Sequence, residues 1–228
     1  MSHIETLLGG ARRRAGRRWP LVAATAAFLL VPAAALPLPV QLPSGNLLAN
    51  PGAESGPGAT SDTTVAPIPG WTTLGGFTAV RYGTRFDGGS FPAAPRGGGK
   101  NFLAGGPQKA NATATQRINV ARFAGKIDAG SVNATLSALI GGYLDRPDNG
   151  RVSATFLGAT GASLGRLTIG PVTASDRGGK TGLLPVTGTQ RVPKRTRSIK
   201  VVLIARRLVG FYNDAYFDNI SLKLAAKG

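Results

Sequence analysis

Two acidic side chains near opposite ends of the sequence are the residues best placed to do chemistry. Glu54 closes the motif Asn46-Leu-Leu-Ala-Asn-Pro-Gly-Ala-Glu54, and Asp218 lies within Asn213-Asp-Ala-Tyr-Phe-Asp-Asn-Ile-Ser-Leu222. Each motif reads as a strand in which acidic or amide side chains interrupt apolar ones. Because the two ends of a domain are often close together, we expect the two strands to be neighbours and Glu54 and Asp218 to lie side by side.

Such a pair of carboxylates suits a hard cation. Ca²⁺ takes about six to eight oxygen ligands, and its charge offsets the repulsion between two shielded carboxylates. Glu54 and Asp218 would supply the charges, and backbone carbonyls of residues 50–53 further ligands. The alternative is that both carboxylates bond to backbone amides or pair with arginines. Asp128 and Asp214 are weaker candidates for the same role.

Residues 1–35 have the layout of a secretory signal peptide. Five arginines between residues 12 and 18 precede an apolar run that ends in Ala33-Ala34-Ala35, a small-residue cleavage pattern. The alternative is a retained membrane anchor, but Pro32 interrupts the run, which is shorter than the ~20 residues of a spanning helix. We therefore expect a secreted protein, extracellular or associated with a cell wall, without stable membrane insertion after cleavage.

Removal of residues 1–35 limits the available chemistry. It leaves 22 basic and 9 acidic residues, a net charge of +13, and takes away His3, the only histidine. Cysteine is absent from the whole chain. A mature chain without histidine and cysteine excludes Ser-His-Asp and Cys-His catalysis and a His/Cys zinc site.

The remaining sequence predicts an all-β fold. Residues 36–45 are a proline-rich linker, and residues 46–228 form one domain of short apolar segments separated by glycine and proline turns. Residues 132–140 keep a strict two-residue period, which is typical of a strand with one buried face. Asp148-Asn-Gly150 follows as a hairpin signal. About eight to ten such strands predict an antiparallel two-sheet β-sandwich, a jelly roll.

The last strand carries an irregularity. Ala215 and Phe217 share one phase, whereas Ile220, Leu222 and Leu224 share the other. A regular strand cannot bury both sets on one face. A β-bulge at Asp218-Asn219 would reconcile them and re-aim side chains beside a functional site; the alternative is a strand buried on both faces.

The opening and closing motifs, together with Pro69-Gly-Trp71 and Thr115-Gln-Arg-Ile-Asn-Val120, resemble the galactose-binding-like jelly-roll superfamily, and most closely its family 4/9-type carbohydrate-binding modules. The resemblance spans residues 46–224. It implies two antiparallel sheets, a structural calcium at Glu54 and Asp218, and non-catalytic binding of a glycan. The few tryptophans depart from a typical sugar-stacking platform.

Sugar rings stack on aromatic side chains while polar side chains contact their hydroxyls. Tyr82 and Tyr143 are the strongest stacking candidates because each lies at a strand end beside a polar loop. Trp71 is a further candidate, with a core position as the alternative. The other predicted ligand-binding residues are Arg81, Asp145, Tyr212 and Asn213, with Phe211 and Asn101 as additional candidates.

The segment Arg191–Arg207 is basic enough to bind an anionic polymer through phosphate or carboxylate contacts, although a charged edge strand that prevents aggregation is the favoured interpretation. No nucleic-acid motif accompanies it, so we expect no nucleic-acid binding. The alternative for the chain as a whole is a structural or adhesive cell-wall protein that binds anionic polymer through its basic face.

A two-carboxylate glycoside hydrolase is the enzymatic alternative, since that mechanism needs no histidine. The possible pairs are Asp145 with Asp148 and Asp87 with Asp176. All four lie in turn-like segments, where exposed carboxylates are expected. The sequence therefore favours a non-catalytic carbohydrate-binding module.

Overall fold

A computed structural model describes residues 41–107 and 109–227, so the predicted signal peptide and the first half of the predicted linker lie outside the described residues. The described part is almost entirely β-structure. Its strands are β1 Thr72–Leu74, β2 Thr78–Arg81, β3 Arg85–Phe86, β4 Gly89–Ser90, β5 Asn101–Pro107, β6 Asn111–Asn119, β7 Val132–Gly142, β8 Asn149–Leu157, β9 Ser163–Ile169, β10 Gly182–Arg191, β11 Ser198–Arg206 and β12 Tyr212–Ala226. A 3₁₀ turn, Ala121–Phe123, leads into the short helix α1, Ala124–Asp128. No helix among these residues has the length and apolarity needed to cross a membrane.

The strands form two five-stranded sheets and one small hairpin. The first sheet has the order β1-β6-β11-β8-β9, the second the order β10-β7-β12-β5-β2, and β3 pairs with β4. All pairings between these strands are antiparallel. The predicted all-β, two-sheet jelly roll is confirmed.

The interior between the sheets is built by alternation. In β7 every second residue from Val132 to Ile140 is buried, as its two-residue period predicts. Phe217 of β12 points into the same layer, because its ring lies against Gly150 of the opposite sheet and 5.8 Å from the ring of Phe77. Burial of such apolar side chains is the main source of stability for a chain without disulfides.

The predicted bulge in the last strand is confirmed. Asp218 pairs with Leu139 and Ser221 pairs with Ser137, so β12 has one residue more than β7 between these pairs. Asn219 takes up the excess with a φ of 49°. The bulge places Phe217 and Ile220 on the interior side of β12, and it leaves Asp218 on the outer face.

The outer face of β12 is nevertheless buried, so the alternative of burial on both faces also holds there. The segment between β2 and β5 folds back over this face and includes the β3–β4 hairpin. Its Phe91 ring lies 6.0 Å from Tyr216 and 5.7 Å from Phe102. The outer face of the second sheet therefore carries a second, aromatic layer, which ends in a cleft.

The opening motif lies beside the last strand, as predicted, but it is not a regular strand. Leu47 N–H donates to Leu222 O at 2.9 Å, and Ile220 N–H donates to Pro51 O at 3.2 Å. Bends and turns follow, because Asn50 and Ala53 adopt positive φ angles of 44° and 60°, which interrupt a regular strand. The prediction of a strand over residues 46–54 is therefore wrong, because the segment is irregular. Its predicted position beside the last strand is confirmed.

The predicted hairpin at Asp148-Asn-Gly150 is wrong. Strands β7 and β8 flank this turn, but they belong to different sheets. The Asp148 side chain is buried instead, and its carboxylate accepts hydrogen bonds from the backbone N–H groups of Leu208, Val209 and Asp214. It ties the turn to the start of β12, and this tertiary contact outweighs the local hairpin preference.

Candidate ligand-binding cleft

A cleft opens at the end of the second sheet where β7 stops and β12 starts. Its centre is a cavity of about 250 Å³, and larger grooves of about 700 and 670 Å³ continue from it on either side. Tyr143 lines all three spaces, so we refer to them together as the Tyr143 cleft. The central volume is somewhat below the ~300 Å³ at which ligand pockets usually begin, and the grooves extend it.

The walls of the Tyr143 cleft are aromatic. Phe86 of the β3–β4 hairpin packs 5.7 Å from the Tyr143 ring and 5.0 Å from Phe91, and Phe91 packs 5.2 Å from Tyr212. The hairpin approaches closely at Gly89, where a Cβ atom would lie 2.3 Å from the Tyr143 hydroxyl. A larger residue there would displace the hydroxyl or the hairpin.

The rim of the cleft is apolar and exposed. Phe211 lines the central cavity and keeps 59% of its surface accessible to solvent. Leu144, Leu208 and Val209 are also exposed, and Leu144 and Val209 line the groove beside it. An exposed apolar rim around a concave site is typical of a surface that binds a ligand.

Polar side chains converge on the same cavity. Asp62, Asp87, Asp214 and Arg146 line its centre, and Asp145 lines the adjoining groove. Carboxylates and a guanidinium are the groups that bind hydroxyl and amine groups by charge-assisted hydrogen bonds. The cleft thus combines flat apolar surfaces with charged hydrogen-bonding groups.

Asp214 is the most perturbed of these carboxylates. Burial raises its pKa to about 6, and the nearby negative charge of Asp148 adds to the rise. The hydrogen bond of 2.6 Å that it accepts from the Tyr216 hydroxyl acts in the opposite direction, as do Arg146 and Arg177. A buried carboxyl with a raised pKa in a cleft is a physical indication of a functional site.

Tyr212 places an unsatisfied hydroxyl at this cavity. The residue is 9% exposed, and its Oη has no hydrogen-bond partner among the described residues. Asp214 and Asp62, which both line the cavity, lie close enough to raise the Tyr212 pKa further after burial itself. A buried polar group without a partner costs free energy, and this hydroxyl is an unsatisfied polar group in the wall of the cavity.

A buried arginine forms hydrogen bonds with the backbone of the turn that carries Tyr143. The Arg177 guanidinium donates to the backbone carbonyls of Gly142, Leu144 and Lys180. Leu144 has a positive φ of 40°, which bends the chain out of β7. The position of Tyr143 is therefore fixed by the backbone beneath it.

The structure divides the predicted ligand-binding residues among several places. Tyr143, Asp145 and Tyr212 meet in the cleft, together with Phe211. Trp71 is buried in the core, and its indole N–H donates to Asn50 O at 3.0 Å. The remaining residues lie elsewhere: Arg81 at the exposed end of β2, Asn101 buried beside Ala53 and Gly56, and Asn213 buried beside Ala110.

The two acidic residues of the terminal motifs lie close together, as predicted, and Tyr82 joins them in what we call the Asp218 cluster. Asp218 is fully buried and accepts hydrogen bonds from the Tyr82 hydroxyl and from Asn219 N–H, both at 2.7 Å. Both oxygens of Glu54 accept backbone N–H groups of Lys100 and Asn101. Burial raises the pKa of Asp218 to about 7, and the charge of Glu54 contributes to that rise.

In the Asp218 cluster both carboxylates accept backbone N–H groups, which is the alternative that the sequence left open, and its oxygen donors are also of the type that a hard cation prefers. Its charged donors are carboxylate oxygens, and neither carboxylate forms an ion pair with any residue of the described ranges. Backbone carbonyls of the opening motif and of Gly97 lie beside them, as the bonds from Ile220 N–H and the Asn219 amide show. Only two carboxylates converge here, and no group of three or more His, Cys, Asp or Glu side chains that could hold a metal ion occurs among the described residues.

The basic segment Arg191–Arg207 does not form one continuous patch. Arg191 donates to Gly130 O, and Arg197 forms an ion pair of 2.7 Å with Asp128. Lys200 instead lies on the outer face of the first sheet, where the strand register aligns it with Arg117 and, two strands away, with Arg166.

In the carboxylate pairs considered for glycoside hydrolysis, the two members of each pair have different surroundings. Asp145 is exposed in a groove, whereas Asp148 is buried with three backbone N–H partners. Asp176 binds the backbone N–H and hydroxyl of Thr173, and these bonds lower its pKa. Asp148 and Asp176 thus have structural partners, and Asp87 alone of the second pair lines the cleft.

Sequence reasoning missed much of the cleft. It did not propose Asp62, Phe86, Phe91 or Arg146, and it gave Asp214 only a weak metal role. One available signal was the length of the glycine- and proline-rich segment 84–100, since long loops commonly carry function. Phe86, Asp87 and Phe91 all belong to it.

Comparison with known proteins supports the fold. Neither family models nor curated proteins give a match. Among solved structures, an apo cyclase from Fischerella sp. aligns with 17% identity and a TM-score of 0.54, covering 82% of this chain and 98% of its own. A family 16 carbohydrate-binding module aligns with 15% identity and a TM-score of 0.48, over 78% of this chain and 99% of its own.

The enzymatically active domain of tailspike protein 4 from bacteriophage CBA120 aligns with 13% identity and a TM-score of 0.50. The alignment covers 79% of this chain and 21% of the tailspike chain, so this protein spans about a fifth of that relative's length. At such low identities the likeness concerns the fold alone. The architecture is the two-sheet antiparallel jelly roll that the sequence predicts.

Proposed function

We propose that this protein is a non-catalytic carbohydrate-binding module that takes its glycan in the Tyr143 cleft. The observation that carries the proposal is the meeting of exposed and half-buried aromatic rings with charged side chains in one concave site. Phe211 and Tyr143 offer flat apolar faces, and Asp87, Asp145 and Arg146 surround them. Sugar recognition needs this pairing, because a pyranose has apolar faces and hydroxyl edges.

Three further features belong to the proposal. The module would be exported through residues 1–35 and act at a cell surface, in a cell wall or outside the cell. Glu54 and Asp218 would hold a structural calcium, which would neutralise the two adjacent carboxylates. Non-catalytic binding is itself part of the proposal, since the similar tailspike domain and the cyclase are enzymes.

Titration calorimetry with a panel of neutral oligosaccharides tests the site. Phe211→Ala and Tyr143→Ala remove stacking surface and should each weaken binding about tenfold, which corresponds to about 1.4 kcal/mol. Leu74→Ala is the matched control: Leu74 is 70% exposed on β1 of the other sheet and should leave affinity unchanged. If both aromatic variants bind every saccharide as well as the wild type, the cleft is not the binding site.

A second candidate function is binding of an anionic polymer by the outer face of the first sheet. The observation that favours it is the alignment of Arg117, Lys200 and Arg166 across that face. Binding through such surface charges weakens steeply with salt, whereas stacking does not. Retention on a heparin column that is lost in Lys200→Glu, but kept in Lys223→Glu on the other sheet, would support it.

A further inference from the structure

The central cavity of the Tyr143 cleft has the opposite charge from the protein as a whole. Beyond the predicted signal peptide the chain carries nine acidic residues against 22 basic ones. Three of the nine, Asp62, Asp87 and Asp214, line this one cavity, and Arg146 is the single basic residue that lines it with them. With all four ionised, the lining carries a net charge of −2.

This local charge persists despite the basic surface. Charges separated by more than about 8–10 Å are largely screened at physiological ionic strength, so the potential inside the cavity depends on the lining charges and on Arg207, which donates to Phe211 O at the rim. With Arg207 counted, the local charge is still negative. The nearest buried charges beyond the lining, Asp148 and Arg177, have opposite signs. A positively charged group is therefore favoured in this cavity.

The other walls are suited to a cation as well. Phe86, Phe91, Tyr143 and Phe211 surround the space with aromatic rings, and the faces of such rings attract ammonium groups. The Tyr212 hydroxyl, buried in the wall and without a partner in the described ranges, would accept a hydrogen bond from a donor-only group after a small movement of its ring. An ammonium group carries donors and no acceptor, so it matches both the carboxylates and this hydroxyl.

We infer that the central cavity binds an ammonium group, and that the carbohydrate taken by the cleft is an amino sugar with a free amine. The inference rests on the proposed function and narrows its ligand class. Asp62 and Asp87 would pair with the amine from the solvent side, and Asp214 with Tyr212 from the floor. Phe211 and Tyr143 would contact the sugar ring.

Calorimetric titration with fully de-N-acetylated chitotetraose and with N-acetylated chitotetraose tests this at low ionic strength. The two probes differ in the charge of their amino groups, so we expect the de-N-acetylated form to bind at least about tenfold more tightly, as charge-assisted hydrogen bonds imply. The double variant Asp62→Asn, Asp87→Asn should lose most of this preference. Both side chains are at least partly exposed, so the fold should tolerate the changes.

Asp128→Asn is the matched control. Asp128 is also a partly exposed aspartate, but it lies on α1, next to the start of β7, whereas the cleft lies beyond the end of β7. This variant should keep the full preference for the charged probe. The strand between them has 11 residues and places the two sites about 30 Å apart.

The pH dependence of the preference for the charged probe distinguishes direct binding by Asp214 from a purely structural role of that residue. Asp214 must be ionised and the amine protonated for the pair to form, so the preference should decrease as the pH falls from about 6 to about 5, where the amine keeps its charge and Asp214 loses its own. The charged and titratable groups around Asp214 are Tyr216, Asp148, Arg146, Arg177, Tyr212 and Asp62. A preference that is constant over this range would remove Asp214 from the site and contradict the inference.

The outcomes separate the two proposals. Equal affinity for both probes would overturn the amino-sugar inference and leave carbohydrate binding in place. Failure of these probes and of the neutral panel to bind would overturn the proposed function and the inference with it. A full preference retained in the Asp62, Asp87 double variant would place the ammonium group elsewhere and overturn the assignment of this cavity.

Discussion

Strand β12 carries two carboxylates only four residues apart, each hydrogen-bonded to a tyrosine, and the surroundings of these two pairs differ. Asp218 accepts a hydrogen bond of 2.7 Å from the Tyr82 hydroxyl, and Asp214 accepts one of 2.6 Å from the Tyr216 hydroxyl. Burial raises the pKa of both carboxyl groups, to about 7 and about 6. In chemistry alone the two pairs are nearly equivalent.

Their neighbours set them apart. The Asp218 cluster is closed: Asn219 and the backbone around Glu54 satisfy the remaining carboxylate oxygens. Asp214 instead borders a cavity, next to the unpartnered Tyr212 hydroxyl. The comparison teaches that a buried pair with internal partners has a structural role, to which a bound cation would add, whereas the pair beside a cavity is accessible to a ligand that enters the cleft.

Of the changes at the two pairs, breaking the closed pair should have the largest effect. Asp218→Ala leaves the half-buried Tyr82 hydroxyl and Asn219 N–H without an acceptor, so it should lower the free energy of unfolding by about 3 kcal/mol. Urea unfolding at neutral pH measures this change. Asp128→Ala, which breaks a partly exposed ion pair, should cost less than about 1 kcal/mol. Similar losses in the two variants would contradict the structural role of the Asp218 cluster.

Calcium should act on the closed cluster and not on the open cleft. A cation held by Glu54 and Asp218 binds only the folded state, so at a hundredfold excess over Kd it should add about 2.7 kcal/mol to stability. The melting temperature should therefore fall on addition of chelator to the wild type. In Asp218→Ala the chelator should have no effect. An unchanged wild-type melting temperature would count against the site.

The open pair should contribute a pH dependence of stability. The folded-state pKa of Asp214, about 6, is above its ordinary value of 3.8, so the folded state binds more protons between these pH values. Its contribution to stability is present at low pH and is lost as the pH rises through about 6. At about 1.4 kcal/mol per pKa unit, reduced for partial solvent screening, the loss is about 2 kcal/mol.

Urea unfolding of the wild type and of Asp214→Asn between about pH 4 and pH 7 measures this loss. The wild type should lose stability relative to the variant as the pH rises, because the variant side chain does not ionise. Both proteins retain the other titrating groups, so the difference isolates Asp214. Parallel pH profiles for the two proteins would disprove the raised pKa.

The smallest effect on stability is expected at the rim of the cleft. Phe211 is mostly exposed, so Phe211→Ala should change the free energy of unfolding by less than about 0.5 kcal/mol, even though it weakens ligand binding. Trp71→Ala is the contrasting variant: Trp71 is buried, and its truncation should cost about 3–5 kcal/mol. A large loss of stability in Phe211→Ala would assign that ring to the fold and not to the site.

Prediction from the sequence succeeded where a local pattern governs the structure. The two-residue period of β7 and the phase change in β12 depend on side chains within one strand, and both were interpreted correctly. The hairpin prediction at Asp148 failed because its carboxylate accepts hydrogen bonds from backbone N–H groups that are distant in sequence, in residues 208–214. The candidate site was predicted in part: Tyr143, Asp145 and Tyr212 meet, while Tyr82 belongs to the closed cluster.

The sequence by itself determined the all-β class, the bulge and the proximity of Glu54 and Asp218, because periodicity and terminal motifs encode these features along the chain. Only the tertiary structure decided where a ligand could bind. The central cavity of the cleft takes its walls from residue 62, the β3–β4 hairpin, the end of β7 and the start of β12. No spacing relates these segments in the sequence. They meet because the covering segment folds back over the outer face of the second sheet, and burial there leaves Asp214 and Tyr212 facing a shared space.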